Sequence, residues 1–241
     1  MKKWSEIKQA TLNKLFLEES EAQQQGYLAK FQYLANEALN IIANGVKPRI
    51  AVFEPFVVTE KILVDAIELR DSVLYYFTNG EENVASPNKQ VAYTTGDVTY
   101  IFGNNKWTIY DDCYVYTDII GLPYDFLSFA DMIGYVDNEP DPEVIFVTDK
   151  QIVLPKPGAY KILYNAMWHE IDKTDITEDL DLKIDDSVLR TLPTYMASQL
   201  LSQDDIQRST ILKNEFELML ARLDTNIMYE SNHYQSTGGW Y

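Results

Sequence analysis

The chain has 241 residues, of which 46% are hydrophobic and 13% aromatic, so it can bury a sizeable core and is not a disordered protein. Its 37 acidic residues outnumber the 20 basic ones and give a net charge of −17, which excludes general nucleic-acid binding through a basic face. The single cysteine, Cys113, excludes an internal disulfide and a cysteine-rich zinc site.

The N-terminal part of the chain has a helical pattern. Apolar residues recur at helical spacing from Trp4 to Phe16 and again over residues 21–43, which predicts two helices that pack as an antiparallel hairpin. We expect the second helix to end at Asn44-Gly45, because glycine can adopt the left-handed conformation there and Pro48 prevents continuation.

The middle of the chain consists of short segments rich in β-branched and aromatic residues, which predicts strands separated by turns. The clearest signal is a hairpin in which residues 103–106 connect the segments 98–102 and 107–110. Short strands with frequent turns are typical of a β-sandwich, and we expect one helical turn within it at 126–133. The other predicted strands are 50–53, 73–77, 90–94, 144–147, 151–154 and 160–164.

Helical patterns return after the predicted strands. Asp185-Asp186-Ser187 supplies N-cap side chains for a helix, and Pro193 either kinks that helix or opens it at its first turn. Asp204-Asp205 begins a last helix. Its inward residues are expected to be Ile206, Leu212, Phe216, Met219 and Leu223.

These zones predict an α+β fold in which the N- and C-terminal helices form a helical bundle and an antiparallel β-sandwich is inserted between them. The bundle is assigned to residues 1–47 and 184–225, the β-sandwich to 48–183, and a flexible C-terminal arm to 226–241. Aromatic residues in such an arm can dock in a groove of a neighbouring subunit, although a frayed terminus is the alternative. The predicted partner-binding residues are Tyr229, Tyr234, Trp240 and Tyr241.

No motif in the chain indicates a chemical reaction. The two histidines, His169 and His233, are too few for an ordinary metal site, and the sequence has neither a nucleophile elbow nor a glycine-rich phosphate loop. Cys113 follows Asp111-Asp112, whose carboxylates would disfavour its thiolate. We therefore expect no enzyme activity, no catalytic residue, no cofactor and no bound metal.

Two features leave alternatives open. The acidic segment 170–186 is expected to be a solvated loop, but such a run of carboxylates could also hold a cation. The many aromatic residues of the predicted sandwich are expected to form its core, but exposed ones could stack on sugar rings. No apolar run is long enough for a secretory signal or a membrane span, which predicts assembly in a cytoplasm and no membrane partner.

Several segments resemble virion proteins of tailed bacteriophages. The first is the run Leu192-Pro193-Thr194-Tyr195-Met196-Ala197-Ser198-Gln199-Leu200, followed by Asp204-Asp205 and Asn214-Glu215-Phe216-Glu217. It is similar to the C-terminal helices of these proteins, and the N-terminal Trp4-Ser5-Glu6-Ile7 is similar to the same group. Residues 75–77 and 157–162 resemble parts of a galactose-binding-like β-sandwich.

The resemblance implies a structural virion protein at the head-to-tail interface, that is, a portal adaptor or neck protein without catalytic residues. It implies a dodecameric ring of this chain in the virion, assembled in the host cytoplasm. The implied partners are further copies of the chain, the portal protein and other neck or tail proteins. Genomic DNA would pass through the ring without sequence-specific binding, and an acidic lumen would repel its phosphates. The alternatives are a tail or baseplate component and a carbohydrate-binding module.

Overall fold

The structure is a computed structural model that describes residues 2–88, 90–103, 105–130, 134–136, 139–141 and 144–234. Side chains are described for these residues except 134–136, 139–141, 146 and 224–234. The fold contains helices and several β-sheets, so the predicted α+β class is confirmed. The chain divides into two compact units, unit 1 comprising Met1–Arg49 and Ala166–Tyr241, and unit 2 comprising Ile50–Asn165.

Unit 1 is helical. Its elements are α1 (Trp4–Leu15), α2 (Glu19–Gln24), a 3₁₀ turn (Leu28–Lys30), α3 (Phe31–Gly45), α4 (Lys173–Glu178), α5 (Asp186–Leu189), α6 (Leu192–Leu200) and α7 (Ile206–Tyr234). Pro193 stands in the first turn of α6, where a backbone N–H has no partner within the helix, so the missing N–H of proline costs nothing. Of the two predicted alternatives, a kink or a helix start, the structure confirms the helix start.

Two predictions for the first helices were wrong. The single helix expected over residues 21–43 is broken at Gly26, which has a φ of +70° and therefore ends α2 before the 3₁₀ turn begins. Helix α3 ends at Gly45, as predicted. However, Gly45 does not adopt the left-handed conformation; it is the last helical residue, and Val46 is the capping residue.

Helix α6 lies at the centre of unit 1. Every residue of α6 except Gln199 is buried, and α1, α3 and α7 all pack against this helix. The Thr11 hydroxyl of α1 lies 3.7 Å from the Met196 sulfur, and the rings of Tyr195 and Phe216 of α7 have centroids 5.0 Å apart. A helix that is buried on all sides is a core helix, so the chain is folded around α6.

Strands occupy residues 49–166, a span that includes unit 2. They are β1 (Arg49–Phe53), β2 (Phe56–Val58), β3 (Glu60–Leu63), β4 (Ala66–Arg70), β5 (Val73–Thr78), β6 (Glu81–Val84), β7 (Val91–Thr95), β8 (Val98–Gly103), β9 (Lys106–Ile109), β10 (Cys113–Val115), β11 (Ile120–Gly121), β12 (Phe126–Phe129), β13 (Gly134–Val136), β14 (Glu139–Asp141), β15 (Ile145–Thr148), β16 (Gln151–Val153) and β17 (Gly158–Ala166). The helical turn predicted at 126–133 was wrong, because strand β12 begins there and pairs with β17; residues 131–133 lie outside the described part.

The strands form four sheets among the described residues. The seven-stranded sheet has the order β10-β2-β17-β13-β14, with β1 and β12 also paired to β17, and the smaller sheets are β3-β7-β8-β9, β4-β5-β6 and β11-β16-β15. The predicted hairpin is confirmed as the antiparallel pair β8 and β9, with Asn105 in its turn at a φ of +59°. The expectation of purely antiparallel sheets was wrong, because β2 pairs with β10 and β3 with β7 in parallel through long crossover connections.

The hydrophobic core of unit 2 contains separate small clusters. One joins Phe56, Val58, Ala92, Ile101 and Cys113, and a second joins Leu74, Ala85 and Tyr93 with half-buried aromatic neighbours. Both clusters join residues of different sheets: the first lies between the seven-stranded sheet and β3-β7-β8-β9, and the second between β3-β7-β8-β9 and β4-β5-β6.

The boundaries of the two units differ from those that the sequence predicts. Unit 2 ends at Asn165, whereas the predicted sheet domain extends to residue 183. Residues 166–183 instead belong to unit 1, where Trp168 donates its indole N–H to the Lys47 carbonyl at 2.9 Å. Helix α7 continues to Tyr234, beyond the start of the predicted arm at residue 226.

Candidate interaction surfaces

The residues predicted to bind partners lie at or beyond the end of α7. Tyr229 and Tyr234 belong to its last turns, and their side chains are outside those described. Trp240 and Tyr241 are outside the described residues altogether. Their contact with a neighbouring subunit therefore stays a prediction. The surfaces described below consist of other residues.

The acidic segment 170–186 holds local structure in place through several of its carboxylates. Asp172 and Asp175 form a reciprocal capping box at the start of α4, each accepting the backbone N–H of the other at 2.9–3.0 Å. Asp179 accepts hydrogen bonds from the backbone N–H and the hydroxyl of Ser5, which lower its pKa. The capping box is local to α4, whereas Asp179 links the segment to α1 of the same unit.

Asp185 is the most strongly engaged carboxylate of the segment. It caps α5 by accepting the Ser187 N–H at 2.8 Å, and it pairs with the Lys47 ammonium at 2.9 Å. Burial alone would raise its pKa, but the hydrogen bonds from Ser187 and Lys47 outweigh it and lower the pKa to about 2. The predicted N-cap chemistry at residues 185–187 is thus confirmed.

Cys113 lies on β10 and is buried, as expected for a small apolar residue. Burial raises the pKa of its thiol to about 11, Lys61 opposes this shift and Asp118 adds to it. The sequence suggested that the neighbours Asp111 and Asp112 would disfavour the thiolate. In the structure the pKa is raised by burial and by Asp118 instead. His169 lies beyond the end of β17 and is exposed.

Several aromatic residues of unit 2 pack against one another. Tyr93 contacts Tyr76 with ring centroids 5.1 Å apart and Trp107 at 5.8 Å, and Trp107 contacts Phe102 at 5.2 Å. These rings cover the second small cluster of unit 2. Edge-to-face and tilted aromatic pairs of this kind stabilise a core and leave less ring face for a ligand.

A groove of about 710 Å³ runs along the outer side of α3. Its lining residues are Ala29, Gln32, Tyr33, Asn36, Glu37, Asn40, Ile41, Asn44 and Glu170. The side-chain amides of Gln32 and Asn36 donate to the Ile171 carbonyl at 2.9 and 3.1 Å, and the Ile171 N–H donates to Asn36 at 2.9 Å. These bonds hold the segment that carries Glu170 against α3 and define one wall of the groove, which we call the α3 groove.

The floor of the α3 groove is tied to the central helix. Glu37 of α3 accepts a hydrogen bond from the Tyr195 hydroxyl of α6, and burial together with this bond raises the pKa of Tyr195. Above this floor, Tyr33 is 68% exposed and Ile41 is 40% exposed. The groove is therefore a surface with a rigid base and two accessible apolar side chains.

The outward face of α7 carries a second set of exposed apolar residues. Leu212, Phe216 and Leu223 face the core as predicted, whereas Ile211 and Leu218 are 66% and 64% exposed on another side of the helix. Ile206 was predicted to point inward and is 70% exposed, because it occupies the first position of α7 before the helix packs on α6. In the described part of the chain, α7 and α3 pack on α6 and not extensively on each other.

Phe16 presents an exposed aromatic ring at the end of α1. It follows the last turn of the helix with a φ of +57°, a conformation that bulky residues seldom adopt, and it is 81% exposed. The Arg208 guanidinium stacks over its ring at 4.1 Å. The sequence pattern placed Phe16 on the apolar face of the first helix, and no local signal shows that the helix ends one residue earlier.

Comparison of the chain with protein-family models and with curated proteins finds no match in either. Among the described residues, no helix has both the length and the apolar character needed to cross a membrane. The interpretation of these surfaces therefore depends on their own geometry and on the sequence resemblance.

Proposed function

We propose that this chain is a structural virion protein of a tailed bacteriophage that forms a ring at the head-to-tail interface, as a portal adaptor or neck protein. The observation that carries the proposal is that two helices of unit 1 each carry two exposed large apolar side chains, Tyr33 and Ile41 on α3 and Ile211 and Leu218 on α7. Two different faces on one protomer allow head-to-tail association of identical copies, and such an interface closes into a ring when the rotation fits.

The proposed architecture is a helical bundle that carries an inserted β-sandwich resembling the galactose-binding type. Packing of α1, α3 and α7 around the buried α6 supports the bundle, and the aromatic clusters of unit 2 support sheet packing as its structural role. The aromatic residues Tyr229, Tyr234, Trp240 and Tyr241 would add contacts to neighbouring subunits, the portal or the tail.

The net charge of −17 supports a role in which the protein surrounds DNA but does not bind it. A channel lined with carboxylates repels the phosphate backbone, so that DNA passes without sticking. We expect replacement of lumen-facing acids by amides to slow genome passage in assembled particles. Unchanged ejection kinetics would contradict this part of the proposal.

Electron microscopy of the phage particle that contains this chain tests the main proposal. We expect density for unit 1 in a closed ring between the portal and the tail. Density confined to the baseplate would favour the tail alternative. A monomer that binds glycans and is absent from the particle would contradict the proposal.

A further inference from the structure

A row of side-chain amides runs along the α3 groove. Gln32, Asn36, Asn40 and Asn44 recur at every fourth residue, so they lie on one side of α3 and rise by about 6 Å from one to the next. An extended peptide repeats every two residues, a distance of about 6.6 Å. The row therefore offers one amide to every second residue of an extended chain that lies along the helix. We call these four residues the amide row.

Two members of the amide row already bind a peptide backbone. Asn36 accepts the Ile171 N–H through its side-chain oxygen at 2.9 Å and donates its amide N–H to the Ile171 carbonyl at 3.1 Å. Gln32 donates to the same carbonyl at 2.9 Å. A side-chain amide carries both donors and an acceptor, so it can pair with the N–H and C=O of a peptide whatever side chains that peptide has.

The other two members of the amide row are open to solvent. Asn40 and Asn44 are exposed, and the Asn44 amide donates to the backbone carbonyl of Asn40 at 2.8 Å. In the described part of the chain, the Asn40 side chain has no hydrogen-bond partner. Tyr33 and Ile41 line the same groove and are exposed. This half of the groove can therefore accept a further stretch of backbone together with large apolar side chains.

The charge of the groove restricts which backbone it accepts. Its described lining contains the carboxylates of Glu37 and Glu170 and no basic side chain, so an acidic segment would be repelled. Residues 235–241 of this acidic chain contain no charged side chain. They include two glycines, which let a backbone lie close to a helix, and the aromatic residues Trp240 and Tyr241. Their chemistry matches that of the open half of the groove.

The length of α7 decides which copy of the groove these residues can occupy. Phe216 of α7 packs on Tyr195, whose hydroxyl bonds to Glu37 in the groove. Tyr234 ends α7 about 27 Å further along the helix. Residues 235–241 span at most about 25 Å when fully extended. Within one copy they would be used up in returning to the level of Glu37, and they could not also run along the groove.

We propose that residues 235–241 of one copy lie along the α3 groove of another copy. The amides of Asn40 and Asn44 bind their backbone, and Tyr33 and Ile41 contact their aromatic side chains. This inference rests on the proposed function and names the site on the neighbour that receives the predicted aromatic contacts. Each copy offers one such segment and one groove, so the contact can repeat around a ring.

Photo-cross-linking of the full chain tests the contact. One form carries the photoreactive residue p-benzoylphenylalanine in place of Trp240, and it is mixed with an excess of the unchanged chain labelled with a heavy nitrogen isotope. After irradiation and digestion with trypsin, mass spectrometry identifies the joined peptides. We expect residues 235–241 of the unlabelled form to be joined to the labelled peptide 31–49, which contains most of α3.

The position and the isotope of the joined peptide distinguish the possible occupants. Cross-links to labelled peptides from other elements would show that residues 235–241 dock on a different surface. Cross-links confined to unlabelled chains would show that they fold back onto their own copy. Either result overturns the inference, and so does the absence of any cross-link at the highest protein concentration.

A pair of identical substitutions separates this contact from the general effect of added negative charge. Asn40→Asp should weaken self-association at least about tenfold in sedimentation measurements, because a carboxylate cannot donate to a backbone carbonyl and adds charge to the groove. Asn214→Asp is the matched control, since it makes the same change at an exposed residue of α7 outside the groove. Equal association of the two variants would contradict the inference. Circular dichroism melting checks that both are folded.

These results are distinguishable from failure of the proposed function. A ring seen in the particle with residues 235–241 cross-linked elsewhere would refute the contact with the α3 groove and leave the function standing. Absence of the chain from the head-to-tail junction would refute the function even if copies associate in solution through this contact.

Discussion

Unit 1 and unit 2 bury their apolar residues in different ways. In unit 1, three helices pack around the single buried helix α6, so that contacts from distant parts of the sequence converge on nine residues. In the described part of unit 2, buried residues form small clusters between neighbouring sheets, one joining β2 and β10 to β7 and β8, the other joining β5 to β7. The difference predicts that a core substitution in unit 1 affects every helix packed on α6, whereas one in unit 2 affects a small cluster and the two sheets that it joins.

Truncation of a core residue in unit 1 should have the largest effect. Phe31 of α3 is 1% exposed, and Phe31→Ala should lower the free energy of unfolding by about 3–5 kcal/mol, because it leaves a cavity in the core of this unit. Urea denaturation followed by far-UV circular dichroism measures the change. Tyr33→Ala, two residues along the same helix but exposed, should change stability by less than about 0.5 kcal/mol.

Truncation in unit 2 should have a smaller and more local effect. Leu74→Ala should cost about 2–3 kcal/mol, since Leu74 is fully buried in the cluster that Trp107 also contacts. In a variant with Trp107 as the only tryptophan, its fluorescence should report an earlier transition. In a variant with Trp4 as the only tryptophan, the fluorescence should report an unfolding transition that Leu74→Ala does not shift. Equal shifts at both tryptophans would show that the two units unfold as one.

The Asp185 cap gives a pH-dependent effect confined to unit 1. Asp185→Ala should cost about 1 kcal/mol at neutral pH, through loss of the α5 cap and of the Lys47 pair. The folded pKa of about 2 lies below the unfolded value of about 3.9, so this stability is present above pH 4 and is lost as the pH falls towards 2. Urea midpoints of the two forms should therefore converge over that interval, while those of the exposed control Asp181→Asn should stay close to the parent chain.

The smallest effect is expected at Phe16. Phe16→Gly should leave stability within about 1 kcal/mol of the parent chain, because relief of the left-handed backbone strain offsets the lost stacking with Arg208. Asn13→Gly, inside the same helix, should instead cost up to about 1 kcal/mol. Thermal melts compare the two. A loss above about 2 kcal/mol for Phe16→Gly would show that this exposed ring supports the core.

Local chemistry predicted much of the regular structure. The caps at Asp185 and Pro193, the β8–β9 hairpin and the end of α3 depend on side chains close in sequence, so a short window contains the necessary information. Strands of two or three residues, such as β2, β10 and β11, give too few positions for a period to appear. Parallel pairing is decided by contacts distant in sequence, which explains the error about purely antiparallel sheets.

The candidate surfaces were less predictable. Composition pointed to the aromatic residues near the end of the chain, whereas the exposed faces of α3 and α7 became visible only when the packing around α6 was known. Ile211 and Leu218 are ordinary apolar residues in an amphipathic helix, and sequence periodicity cannot say which of two apolar faces the core covers.

Strands β1 and β17 pair with each other at the point where the chain passes into and out of unit 2. Paired strands lie about 4.8 Å apart, so the two junctions of the insert are neighbours in space. Residues 50–165 can therefore be exchanged for another module of similar end-to-end distance without stretching the helices on either side.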